Sequence, residues 1–191
     1  MKIVYQNSKE KKAIKKAMQG NRIAQKWIFD QYAPKMLSVC RSYVSPLEKA
    51  EELLLDGFFK AFTKIRQYKE RGSFEGWLRR IIVHEALSYL RKQPDFLVLD
   101  ETLEGSALDM PSEFHNSFSA EDIQRHIDKL PVLYRTVFVM FGVEGYSHAE
   151  ISKTLKIPIN TSKSYLLRAR KKLQEGLTQK TYSKNGTGSI R

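Results

Sequence analysis

The chain has 191 residues, with 33 Lys and Arg against 21 Asp and Glu, and a formal net charge of +12. Its one cysteine, Cys40, excludes an intrachain disulfide and a cysteine-rich zinc site and fits a reducing cytosol. No run of about 18 apolar residues is present for a membrane span, and the excess cations favour a polyanionic partner, because neutralised phosphates release condensed counterions.

Taken in order, Met1 to Gly20 is Lys-rich and lacks the apolar segment of a secretory signal, so the protein is expected in the cytoplasm. Helical spacing then dominates. Ala24, Trp27, Ile28 and Tyr32 stand at i, i+3, i+4 and i+8, and Leu53, Leu54, Phe58, Ala61 and Phe62 repeat the pattern. Cys40 follows Leu37 and Val39 and reads as a small core residue. A third helix is expected from about Ser73, its cap, to Lys92, with Trp77, Ile81, Leu87 and Leu90 apolar and Trp77 in the core. The polar stretch Gln67 to Ser73, with one glycine, is a loop between helices.

From Pro94 to Asp122 there are eight acids and no Lys or Arg, so this segment carries −8 and the remainder +20. Pro94, Gly105, Pro111 and several serines accompany the acids, and no helical period persists. Residues 94–118 therefore read as a flexible acidic linker between a domain spanning 1–93 and another spanning 119–178. The second domain is expected to hold helices near 119–129, 131–142, 147–155 and 160–176. Pro131 suits a first helical position, and Ser147 with Glu150 forms a capping-box pattern. The Lys-, Ser-, Thr- and Gly-rich end, 179–191, reads as a disordered tail.

The stretch 147–176 is the sharpest local signal. Two helices joined by a short turn, the second strongly basic, make a helix-turn-helix whose second helix fits a major groove. Leu166, Ala169 and Leu173 fall on its packing face. Asn160, Lys163, Ser164, Leu167, Arg168 and Lys171 fall along another, offering donors for phosphates and base edges and an aliphatic tip for a thymine methyl. Lys163 and Arg168 suit bases; Arg170, Lys171 and Lys172 suit phosphates.

At this point the sequence resembles a family. Leu130-Pro-Val-Leu-Tyr-Arg-Thr-Val-Phe138, Glu144-Gly-Tyr-Ser-His-Ala-Glu-Ile151, Ile157-Pro-Ile-Asn-Thr-Ser-Lys-Ser164 and Arg168-Ala-Arg-Lys-Lys-Leu173 are similar to region 4 of extracytoplasmic-function sigma factors. Ala50-Glu-Glu-Leu-Leu-Leu-Asp-Gly-Phe-Phe-Lys-Ala-Phe62, Gly72-Ser-Phe-Glu-Gly-Trp-Leu-Arg-Arg-Ile-Ile82 and Tyr89-Leu-Arg-Lys92 resemble region 2. The resemblance covers most of 12–178 in the family's order. It implies an all-α chain of two small helical domains, a region 2 bundle and a region 4 helix-turn-helix, that joins core RNA polymerase through its β′ and β subunits.

Further roles follow from the resemblance alone. Asn160, Thr161, Lys163, Ser164, Leu167, Arg168 and Lys171 are implied to read the duplex −35 element. Tyr68, Lys69, Arg71, Gly72 and Ser73 stand where the family's −10 specificity loop holds a flipped base, with Arg80 and His84 lining the single strand. Glu51, Glu52, Asp56, Phe59 and Lys60 are implied to dock on the β′ coiled-coil. Leu55 replaces the family's usual glutamine, and His84 its common asparagine. The linker is implied to thread towards the RNA exit path, and an anti-sigma protein is implied as a further partner.

Catalysis has little to stand on in the sequence. His84, His115, His126 and His148 are scattered rather than set at zinc-ligand spacing, and neither a phosphate-binding glycine loop nor a Gly-x-Ser-x-Gly elbow occurs. The expectation is therefore no enzyme, no metal and no cofactor. The rival reading is a repressor or activator with the same helix-turn-helix, which leaves residues 46–92 unassigned.

Overall fold

A computed structural model describes residues 2–97 and 119–185 of the chain. Its contacts divide the chain between Lys92 and Gln93 into two compact units. Among the described residues every regular element is helical.

The first unit holds α1 (Lys2–Met18), α2 (Arg22–Tyr43), α3 (Leu47–Lys64), a 3₁₀ turn (Ile65–Gln67) and α4 (Phe74–Leu90). Gly20, at φ +82°, lets the chain reverse after α1, and Asn21 starts α2 by accepting the Ala24 N–H (2.9 Å). Ser73 caps α4 as the sequence predicts, accepting the Gly76 N–H at 3.1 Å. The core is built from the periodic positions: Ile28, Met36 and Tyr43 of α2, Leu53 and Phe58 of α3, and Leu78, Ile82 and Leu87 of α4. Cys40 is fully buried among them, and burial pushes its thiol up to about 12. Where α3 crosses α4, a Cβ on Gly57 would lie 2.3 Å from Ile82 Cδ1, so this glycine sets how closely the two helices approach.

Helix α1 has no counterpart in the sequence reading, because its apolar positions are sparse among lysines. It is held by Ile14 and Ala17, both buried, against α2. Trp77 differs from expectation by degree: it is half-buried, stacked among rings rather than enclosed.

The second unit begins with a short 3₁₀ turn, Pro94–Leu97, that contacts the later helix α6 and buries Phe96. The expected linker thus starts with an ordered anchor, one aromatic residue being enough to seat a turn without helical periodicity. The rest of the acidic stretch, 98–118, lies outside the described residues. Four helices follow: α5 (Ala120–Asp128), α6 (Val132–Gly142), α7 (His148–Leu155) and α8 (Ile159–Asn185). Pro131 is the residue before α6 rather than its first member, and its carbonyl accepts the Arg135 N–H at 3.0 Å.

Helix α8 runs past the end predicted for it, taking in 179–185 of the supposed tail; 186–191 lie outside the described residues. The reason is Gly176. Read as a helix stop, it is a packing glycine: a Cβ there would meet His126 Cδ2 of α5 at 2.4 Å. No other Gly or Pro interrupts the chain until Gly186.

Candidate nucleic-acid interfaces

In the second unit, α7 leads through a short turn into α8, and α7 is fixed at both ends. Ser147 Oγ accepts the Glu150 N–H (3.3 Å), while the Glu150 carboxylate accepts the Ser147 N–H (2.8 Å) and hydroxyl (2.7 Å). These bonds hold the Glu150 carboxyl below its ordinary pKa. At the other end Lys156 takes a left-handed conformation, φ +58°, and Ser152 Oγ donates to the Ile157 carbonyl (2.6 Å). Helix α8 then buries Ser162, Tyr165, Leu166, Ala169 and Leu173, the last three being the packing residues expected from the sequence.

Opposite that side Asn160, Lys163 and Lys171 are exposed, with Ser164 and Leu167 partly so. Two of the expected face residues depart from the rest. Thr161 is buried at 7% exposure, since one step from Asn160 turns 100° around the helix, away from the open face. Arg168 is half-buried at the edge, where its guanidinium Nη1 donates to the Tyr134 hydroxyl of α6 (3.0 Å). Arg168 therefore ties α8 to α6.

Sequence reasoning missed a stacked group at the start of α7. The His148 ring stacks on Phe141 (centroids 4.6 Å), its Nδ1 shares a hydrogen bond with Ser162 Oγ (2.9 Å), and the Arg170 guanidinium lies over Phe141 at 5.8 Å. Partial burial lowers the His148 pKa, and Lys163 and Arg170 lower it further. The α7 end thus joins the basic face of α8. Spacings of 7 to 29 residues between these partners leave no local trace.

In the first unit, the loop before α4 is folded tightly. The Tyr68 hydroxyl donates to the Gly72 carbonyl (2.8 Å), and Glu70 (φ +55°) and Gly72 (φ +97°) both have left-handed backbone. Lys69 and Arg71 are exposed at the tip. Below them Tyr68 packs on Phe74 (5.2 Å) and Trp77 (5.6 Å), and Tyr32 of α2 reaches Phe74 at 5.6 Å. Beside this ring group opens a cleft of about 710 Å³, lined by Trp27, Tyr32, Tyr68, Gly72, Ser73 and Glu75 among others. Burial raises the Tyr32 pKa, and its hydroxyl donates to Glu10 Oε1 at 2.7 Å. Arg80 and His84 are exposed along α4, a turn apart.

A third surface lies on α3. Glu51, Glu52 and Asp56 are exposed beside Leu55 (59% exposed) and Phe59 (73%). Lys60, expected with them, is ion-paired with Glu85 of α4.

Comparison with known proteins decides what these surfaces belong to. Residues 28–94 match Sigma-70 region 2, and residues 120–173 match Sigma-70, region 4. The ECF RNA polymerase sigma factor SigW of Bacillus subtilis is 30% identical over 179 residues, which cover 87% of this chain and 96% of that protein. The chain belongs to the extracytoplasmic-function sigma factors.

Other sigma factors align less fully. The ECF sigma factor SigE of Mycolicibacterium smegmatis is 28% identical over 78% of this chain and 60% of its own length. The sigma factor RpoE of Bartonella quintana, solved in complex with the anti-sigma factor NepR, shares the fold with a TM-score of 0.52. It is 24% identical, covering 80% of this chain and 96% of that one. As a sigma factor the protein binds core RNA polymerase and promoter DNA, and the repressor reading loses its ground: residues 28–94 are accounted for. Leu55 is exposed on α3 and His84 on α4.

Proposed function

We propose that this sigma factor reads its promoter with two separate surfaces and docks on polymerase with a third. The observation that carries the reading is the sorting of α8: Asn160, Lys163 and Lys171 open on one side, and Leu166, Ala169 and Leu173 buried on the other. Set in the major groove of the −35 element, the open side neutralises phosphates and offers Asn160 and Lys163 to base edges. Arg168 acts from the rim, its hydrogen bond to Tyr134 fixing the guanidinium, and Thr161 supports the helix start from inside.

The loop of Tyr68, Lys69, Arg71, Gly72 and Ser73 takes the −10 element. Opening a base pair and extruding a base costs a few kcal/mol. Stacking on an aromatic ring returns about 1–3 kcal/mol per base, and the cleft beside Tyr68 has rings on its wall. Arg80 and His84 hold the backbone of the opened strand along α4. Glu51, Glu52, Asp56 and Phe59, with Leu55 between them, face the β′ coiled-coil; Lys60 contributes by fixing α3 to α4 through Glu85. Residues 1–93 and 119–178 are the functional domains, and 94–118 joins them inside the polymerase. The protein makes and breaks no covalent bond itself, works in the cytoplasm, and is held inactive by an anti-sigma protein, as RpoE is bound by NepR.

The test is reconstitution with sigma-free core polymerase. Lys163→Gln with Lys171→Gln should weaken binding to −35-containing promoters and make the slope of log affinity against log salt shallower by about 1.8, at about 0.9 per phosphate. DNA carrying only the −10 element should bind both proteins alike. An unchanged slope on −35 DNA overturns the assignment of α8.

A further inference from the structure

One strongly basic surface belongs to neither promoter-reading surface described above. With buried Ile14 taken as the inward direction, steps of 100° per residue place Glu10, Ile14 and Ala17 on the inner side of α1. The same steps put Lys9, Lys12 and Lys16 on the outer side and Lys11 and Lys15 along the flank between, and all five are exposed. None is ion-paired with a described residue. The only carboxylate of the helix, Glu10, turns the other way to accept the Tyr32 hydroxyl.

Such a face is unfavourable for the helix by itself. Lys11 with Lys15 and Lys12 with Lys16 stand four apart, and Lys9 with Lys12 three apart, all like-charged neighbours. The helix dipole accommodates Lys15 and Lys16 in the last turn, but gives Lys9, Lys11 and Lys12 no such reason. The composition also selects the partner. Besides the lysines, the outer side between Ser8 and Gln19 offers no large apolar residue to anchor a protein or enter a membrane interface. Its length, about 10 Å at 1.5 Å per residue, spans roughly three phosphates of one strand at about 3.4 Å each. Its position selects the place: Lys11 lines the same cleft as Tyr68, Gly72 and Ser73, and Arg66 extends the charge, donating to the Met18 carbonyl at the end of α1 (3.1 Å).

We propose that the lysine face of α1 is a further DNA-backbone contact, gripping phosphates beside the −10 base that enters the cleft. This rests on the reading of the 68–73 loop as the −10 site.

The experiment uses the full chain with core polymerase and two promoter DNAs, one carrying the −10 non-template strand and one truncated before it, titrated over about 50–200 mM salt. The variant is Lys9→Gln with Lys12→Gln and Lys16→Gln. Glutamine keeps helix propensity and removes like-charge neighbours, so α1 should stay folded, as circular dichroism checks. On the longer DNA the salt slope should become shallower by about 2–3, at 0.7–0.9 per lysine, and affinity near 150 mM should fall roughly ten- to hundredfold. On the truncated DNA the variant should match the wild type. An unchanged slope, an equal loss on both DNAs, or weaker binding to polymerase without DNA each overturns the proposal while leaving the loop assignment intact. A wild-type protein that binds both DNAs alike overturns the loop assignment and the proposal together.

Discussion

Gly57→Ala probes the joint on which the −10 and polymerase surfaces depend, because α3 carries one and α4 the other. The added Cβ would sit 2.3 Å from Ile82 Cδ1, with Cγ1 at 3.5 Å and the Ile82 backbone Cα at 3.7 Å. Only the Cδ1 contact is impossible, and Ile82 is fully buried, so its methyl has nowhere to swing without displacing core neighbours. Overpacking of this kind costs about 1–3 kcal/mol, while replacing a mid-helix glycine by alanine returns roughly 1 kcal/mol. The net loss should be about 1 kcal/mol. Ile82→Val deletes the offending methyl and by itself should cost about 0.5–1.5 kcal/mol. In the Ile82→Val background, Gly57→Ala should stabilise by up to about 1 kcal/mol, giving a coupling of roughly 1–3 kcal/mol. Denaturant unfolding followed by tryptophan fluorescence is the assay, since both tryptophans, Trp27 and Trp77, lie in the first unit. If Gly57→Ala has the same effect in both backgrounds, the close crossing of α3 and α4 is refuted.

Two other perturbations address the second unit and the linker. His148 has a folded-state pKa below its ordinary value near 6.5, so the unfolded chain binds more protons there as pH falls through that value; stability from this site is present above it and lost below, and His148→Gln should flatten the dependence. An NMR titration in which His148 protonates no lower than a histidine free in solution would contradict this. Changing Asp95, Asp100, Glu101, Glu104, Asp109 and Glu113 to their amides should strengthen DNA binding by the free chain at low salt, and the gain should fade as the Debye length falls from about 10 Å at 0.1 M to about 3 Å at 1 M. Equal affinities at low salt would show that these acids do not screen the basic faces.

What is legible in the sequence is what local chemistry decides. The Ser147–Glu150 box and the Ser73 cap are short-range hydrogen bonds, and the faces of α8 follow from counting, so the order of residues suffices to place the starts of α4 and α7 and the open side of α8. Counting fails at the margins. Thr161 is one residue from Asn160 yet buried, and Arg168 lies at the edge where Tyr134, 34 positions earlier, takes its guanidinium. Gly176 misleads for a related reason, because a glycine that stops a helix and one that admits His126 look the same in sequence. The cleft beside the 68–73 loop is not legible at all: Trp27 and Tyr32 are supplied by α2, about 40 residues upstream, and their periodic spacing reads simply as core.

Net charge by itself says little about where a sigma factor meets DNA; the pairing of individual cations says more. Lys26 with Asp30, Lys35 with Glu75, Lys49 with Glu52, Lys60 with Glu85 and Arg125 with Asp122 are all joined inside the protein. The exposed pairs among them, such as Lys26 with Asp30, are worth about 0.2–1 kcal/mol or less to stability. Their larger effect is to withdraw cations from the phosphate-binding pool, since a lysine already beside a carboxylate neutralises less of a phosphate's charge and so displaces fewer of the DNA's counterions. Two stretches of the remaining cations stand clear of acids along the sequence. From Asn160 to Gln174, α8 contains no carboxylate, and from Lys11 to Met18 neither does α1. Two helices in different units have thus each kept one side clear of acids over two turns or more, at a cost in like-charge repulsion that a polyanion on that side relieves.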